Sequence, residues 1–199
     1  MSSFRETERR RKGAKSSYRD PKKHYVRLNG WLPIFEQYFR RDGKPRYLTL
    51  CAKDAIDIRY FRGKGFLPYD NEQKSYPTVA FVERDAQDYA AIAEGLGTTK
   101  LAIKGDLEEI LVNPQQNPEN SELLRRSFPY DVINLDFTGQ VVREEDPPYS
   151  QTIRAIEKII ELQNVTGCDR WHMFLTFMAR PETANHEADD EYVIFSKEI

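Results

Sequence analysis

The stretch TVAFVERDAQDYAAIAEGLGTTKLAIKGD, Thr78–Asp106, decides the fold. It opens with a β-branched and aromatic run that ends at Glu83. Asp85 then leads into a segment where Ala86, Tyr89, Ala90, Ala93 and Leu96 share one helical face. Gly95 and Gly97 stop that helix, and a second apolar run, Lys100–Gly105, follows. Strand, helix and strand in that order, with no hairpin turn, make a parallel crossover unit. Parallel sheets are covered by helices on their faces, so this unit predicts an α/β protein.

The same alternation extends in both directions. Upstream, RYLTLCA places a strand at Tyr47–Ala52. A helix opened by Asp54 follows, with Asp57 three residues later as a variant of the capping box. The loop after it carries Gly63, Gly65, Pro68 and Pro77, which argue against regular structure up to Thr78. Earlier still, Leu32, Phe35 and Phe39 recur at helical spacing, with Pro33 in a first turn and Gly43 and Pro45 closing the helix. Downstream, Asp106 caps a short helix, with Glu109 three residues on. The polar loop NPQQNPENS and a short helix near residues 122–127 come next.

FPYDVINLDFTGQ, Phe128–Gln140, holds a fourth strand. A loop with Pro147 and Pro148 then precedes a helix whose apolar face is Ile153, Ile156, Ile159 or Ile160, and Leu162. WHMFLTFMA, Trp171–Ala179, reads as a strand covered on both faces, and EYVIFS, Glu191–Ser196, as one more. The fold predicted is a Rossmann-like α/β domain over residues 25–199. Its sheet is mostly parallel, with helices on both faces and an abbreviated C-terminal end. Residues 1–24, charged and poor in large apolar groups, read as a flexible basic arm.

Composition narrows the function classes. Of 199 residues, 31% are charged and 39% hydrophobic, and no apolar run reaches the roughly 18 residues of a membrane-spanning helix. The basic N-terminus is not followed by the apolar stretch of a secretory signal, so a cytoplasmic protein without a membrane partner is expected. The two cysteines, Cys51 and Cys168, lie in or beside apolar runs, as reduced thiols do. With three histidines and no paired Cys/His spacing, no metal site is expected. The net charge of −2 divides unevenly: residues 1–50 hold 14 Lys/Arg against 5 Asp/Glu, and the remainder is acidic. Basic residues 1–50 can neutralise the phosphates of a nucleic acid, or dock on an acidic protein partner or a second copy.

Each strand hands polar groups to the turn that follows. These are Lys53 and Asp54 after the first strand, and Glu83, Arg84 and Asp85 after the second. Gly105 and Asp106 follow the third; Asn134, Asp136, Phe137 and Gly139 close the fourth. In a doubly wound sheet these tips converge on one crevice. An Asp before a helix also has the ordinary reading of an N-cap, whereas Glu83 ends an apolar strand before Asp85 takes the capping position.

Over Arg46–Ala179 this ordering resembles the class I S-adenosylmethionine-dependent methyltransferases. The resemblance implies that Glu83 holds the ribose hydroxyls and Asp106 approaches the adenine. The turn Ala52, Lys53, Asp54 would support the methionine part of the S-adenosylmethionine cofactor. The strand end Asn134-Leu135-Asp136-Phe137 is similar to the acidic or amide strand ends of amino-methyltransferases. It implies that Asp136 orients a target amine, that Phe137 stacks on a base and that Asn134 assists. Departures are equally plain. The first loop, Cys51–Ala55, has no glycine, and Asp136 is not followed by proline. Two other classes stay open. A catalytically inactive methyltransferase-fold scaffold would bind nucleic acid or a protein partner as a complex subunit. A Toprim-like nuclease would gather Mg²⁺ on Glu83, Asp136 and Asn134, although Arg84 stands where that family has glycine.

Overall fold

The computed structural model describes residues 25–39, 44–51, 53–137, 150–179 and 189–197. The proposed arm, Ala52 and Gly139 lie outside these residues. The chain forms two compact units, Met1–Arg40 and Arg41–Ile199. In the first, a π-helical turn, Arg27–Trp31, runs into helix α1, Leu32–Tyr38, with Pro33 at the junction of the two.

The second unit is a Rossmann-like α/β sheet. Its strands are β1 (Tyr47–Thr49), β2 (Ser75–Glu83), β3 (Thr98–Lys104), β4 (Val132–Asp136), β5 (Trp171–Ala179) and β6 (Asp189–Lys197). Their order across the sheet is β3-β2-β1-β4-β5-β6. β1 to β5 run parallel, and β6 returns antiparallel along β5. The chain moves outward from β1 to β3, then crosses back to place β4 on the other side of β1. The switch point therefore lies between β1 and β4, where an open α/β sheet forms its crevice.

Alternation along the strands assigns the helices to faces. Leu48, Ala80, Val82, Ile103, Ile133, Leu135 and Met173 point to one side. There they form a single core with α4 (Leu107–Val112), α5 (Pro118–Ser127) and α6 (Gln151–Val165). The opposite side carries α2 (Ile56–Gly63), which reaches Tyr47, Thr49 and Asn134 through Asp57. It also carries α3 (Ala86–Leu96), whose Tyr89 ring meets Phe81 at 5.7 Å.

Several boundaries differ from the sequence reading for identifiable reasons. β2 begins at Ser75, with Pro77 inside it. Pairing jumps there from Tyr76↔Thr99 to Ala80↔Leu101, and this irregularity lets a residue without an N–H sit in the strand. Helix α5 starts at Pro118, inside the stretch expected as loop, because proline suits a first helical turn. Helix α6 buries Thr152, Ala155, Ile159 and Gln163, a stripe rotated from the expected one, and leaves Ile160 exposed. Gln163 is useful there. Its amide exchanges two hydrogen bonds with the backbone of Tyr130, at 2.8 and 2.6 Å, and ties α6 to the entry of β4.

Candidate functional site

Register fixes which strand tips meet. Thr49 of β1 pairs with Phe81 of β2 on one side and Asn134 of β4 on the other. Two residues further on, Glu83 and Asp136 therefore stand at one level, on the face that carries α2 and α3, flanking the exit of β1 at Cys51. Across two strand spacings their Cα atoms are about 10 Å apart. The next strands add Lys104 beside Glu83 and Thr176 beside Asp136. The two carboxylates singled out in the sequence thus share one side of one crevice.

Glu83 is half-buried, and its Oε1 accepts the N–H of Asp85 at 2.7 Å. Burial raises its carboxyl above the usual range and the nearby acids Asp88 and Asp85 add to this, while backbone N–H groups of Asp85 and Arg84 act against it. A strand-end acid whose charged form is disfavoured by burial is a common feature of functional sites. Cys51, buried between, is pushed up by burial first and then by Asp57 and Glu83, so its thiol stays protonated and is no nucleophile.

The first loop departs from expectation. Asp54 does not open α2. Lys53 and Asp54 are both exposed, and the position before the helix is Ala55, buried and left-handed at φ 44° and ψ 45°. That conformation favours glycine, so the loop keeps a glycine-type backbone without the residue. Asp57, expected as a capping partner, is instead a buried acceptor. Its Oδ2 takes hydrogen bonds from Tyr47 Oη at 2.6 Å, Thr49 Oγ1 at 2.7 Å and Asn134 Nδ2 at 3.1 Å. Burial first, and then the Asp57 carboxylate, pushes the Tyr47 phenol well above its ordinary value, so Tyr47 is a fixed donor.

Asn134 thus lies one layer beneath the tips, 3% exposed, with its amide also 3.2 Å from Thr49 Oγ1. Its buried Oδ1 has no hydrogen-bond partner among the described residues. Phe137, next to Asp136, packs against the core on the α4–α6 side, the opposite face from Asp136. Its N–H donates to Thr176 O at 2.9 Å. Asp106 caps α4 through Glu108 N at 2.9 Å and Glu109 N at 3.4 Å, and meets Arg84 Nη1 at 3.4 Å. Among the described residues, no three His, Cys, Asp or Glu side chains are grouped to hold a metal ion. No described helix is long and apolar enough to cross a membrane.

The sequence reading missed Tyr47, Thr49 and Asp57 as a unit. Its signal was present: two hydroxyl side chains at alternate positions of a buried strand point the same way and need an acceptor.

A family model described as PP_RS20740-like matches residues 98–195, from β3 through most of β6. No curated protein matches the chain.

Proposed function

We propose that the crevice at the β1/β4 switch point binds S-adenosylmethionine and directs methyl transfer to an amine of a nucleic-acid base. The observation that carries this reading is the level placement of Glu83 and Asp136 on one face, either side of the β1 exit. Glu83, half-buried at the tip of β2, suits the paired hydroxyls of a ribose. The left-handed Ala55 turns the loop as a glycine would, which lets backbone approach the ligand, and the exposed side chain of Lys53 keeps its charge toward solvent. The cofactor, when bound, supplies an electrophilic methyl group on its sulfonium.

In this reading the chain itself contributes orientation. Asp136 accepts hydrogen bonds from the attacking amine and aims its lone pair. Catalysis then rests on alignment more than on proton transfer. Asn134 acts from below, by holding β1 to β4. Phe137 packs on the far side of the strand, so base stacking falls to another group. Asp106 is committed to its helix cap and Arg84, so holding the adenine falls to another group.

A second reading rests on a specific observation. Asp106 and one oxygen of Glu83 are already engaged within the chain, as befits a methyltransferase-fold scaffold that keeps the crevice without the reaction. Calorimetry with S-adenosylmethionine and S-adenosylhomocysteine separates the two. The first reading expects micromolar binding, weakened at least tenfold by Glu83→Ala. Silence at millimolar ligand leaves the scaffold. Retention of labelled DNA and RNA across a salt series tests the polymer, and a steep loss with salt is expected from the basic residues within 1–50.

A further inference from the structure

At the other end of the sheet, two cations converge on one oxygen. Arg46 precedes β1 and Lys100 lies in β3. Arg46 Nη2 donates to Ser127 O, and Lys100 Nζ donates to the same atom at 3.3 Å. Both also lie against the Tyr130 ring, 5.6 and 5.4 Å from its centroid. Ser127 ends α5, so the carbonyl belongs to the negative end of a helix. That end is equivalent to about half an elementary charge, which offsets only part of two full positive charges.

Among the described residues one carboxylate, Asp131, supplies part of the balance. It accepts the backbone N–H of Arg46 at 2.7 Å, and neither cation makes a side-chain ion pair among the described residues. Arg46 Nε is buried and has no acceptor among the described residues. The Lys100 amine is pulled down to about 8, by burial first and then by Arg46, with Asp131 acting in the other direction. A side chain whose charged form is disfavoured by a neighbouring cation gains from any anion placed between the two.

We propose that Arg46 and Lys100, above the Tyr130 ring, form a binding site for a phosphate group. The half-buried guanidinium offers a permanent positive charge with N–H donors beyond the one given to Ser127, and the ammonium offers a point charge with two further N–H donors. A tetrahedral oxyanion, with several oxygens and up to about two negative charges at neutral pH, can meet both cations from one position. The Tyr130 hydroxyl donates to Ser127 Oγ at 2.5 Å and the residue is fully buried, so it seats the two cations and donates nothing to the anion. The site lies at the amino ends of β1 and β4, away from Glu83 and Asp136, and does not depend on what the crevice binds.

The test is a titration of the full chain, labelled with ¹³C-lysine, followed by NMR with inorganic phosphate at constant ionic strength. Phosphate is expected to move the Lys100 midpoint upward from about 8 and to saturate. Lys100→Gln should weaken phosphate binding at least tenfold in a thermal-shift titration, and Lys100→Arg should restore most of it. A nucleoside 5′-monophosphate and a short oligonucleotide form parallel arms. Saturation by either identifies the source of the phosphate and supports the site. A response that grows without saturation, as it does in sodium chloride, or that is equal in the wild type and Lys100→Gln, overturns it.

Discussion

Replacing Asp57 with alanine should destabilise the protein far more than loss of a helix-end acid can. The substitution strips one acceptor oxygen from three buried donors, Tyr47 Oη, Thr49 Oγ1 and Asn134 Nδ2. Each orphaned buried donor costs about 1–3 kcal/mol. The lost attraction to the helix N-terminus and alanine's better helix propensity, each about 0.5 kcal/mol, nearly cancel. Removing a buried charge returns part of its desolvation cost, so the expected loss is about 3 kcal/mol. For a chain of this size that is a fall in Tm of about 6–12 °C.

Urea unfolding followed by fluorescence, with Trp171 buried in β5 as a reporter, measures the change. The sharper readout is a sign reversal. Tyr47→Phe in the wild type removes a charge-assisted bond and should cost about 2 kcal/mol. In the Asp57→Ala background the same change removes an orphaned hydroxyl and should stabilise by about 1 kcal/mol. Equal costs in both backgrounds, within about 0.5 kcal/mol, would falsify the cluster as an energetic unit.

Three further outcomes follow from single positions. Glu83 has a raised carboxyl pKa in the fold, so the native state holds its proton more tightly than the unfolded chain. Its contribution is fully present below the unfolded value of about 4.3 and is lost as pH rises through the folded value. Glu83→Gln should flatten that decline and leave stability at pH 7 unchanged or higher, as read from urea midpoints across pH 4–8. Gly97 sits at φ 74° and ψ −144°, and an added Cβ would lie 2.3 Å from the Lys74 carbonyl oxygen. Gly97→Ala should cost about 3 kcal/mol, against about 1 kcal/mol for Gly167→Ala, whose Cβ meets nothing within 4 Å; comparable losses in thermal melts would contradict this. Ala55→Gly should change stability by less than about 0.5 kcal/mol, because relief of the left-handed strain offsets the lost methyl and the added chain entropy. Ala55→Val, β-branched and buried, should cost about 3 kcal/mol, and similar effects of the two would rule out a left-handed Ala55.

The fold was legible because its signals are local and repeated. Asp85 and Asp106 cap α3 and α4 as read, each accepting two backbone N–H groups. Trp171–Ala179 has the bounds that its nearly all-apolar run predicts. What escaped was set by contacts between distant segments. Pro77 inside β2 needs a pairing irregularity that only β3 supplies, and Asp57 looked like a capping acid until Tyr47 and Asn134 surrounded it. The tips of β2 and β4 were legible as carriers of acids. Phe137 was not legible as a core residue, because a one-residue step along a strand reverses the face and the sequence does not name the faces.

These outcomes bear on how a crevice can be held without glycines. A glycine-rich turn positions backbone by allowing it to bend; here the bend is held by packing. Ala55 stays left-handed because the first turn of α2, through Asp57, is bonded to β1 at Tyr47 and Thr49 and to β4 at Asn134. Those same three contacts set the spacing of the two strands at the switch point, and so the placement of Asp136 relative to the loop. If that is the origin of the geometry, the Asp57→Ala variant should loosen amide protection at Leu50, whose N–H donates to Asn134 O at 3.0 Å across the β1/β4 seam. Protection at Gly105, bonded to Glu83 O across the β2/β3 seam, should fall only with global stability. Hydrogen exchange that weakens both amides equally would place the control of the crevice elsewhere than in this cluster.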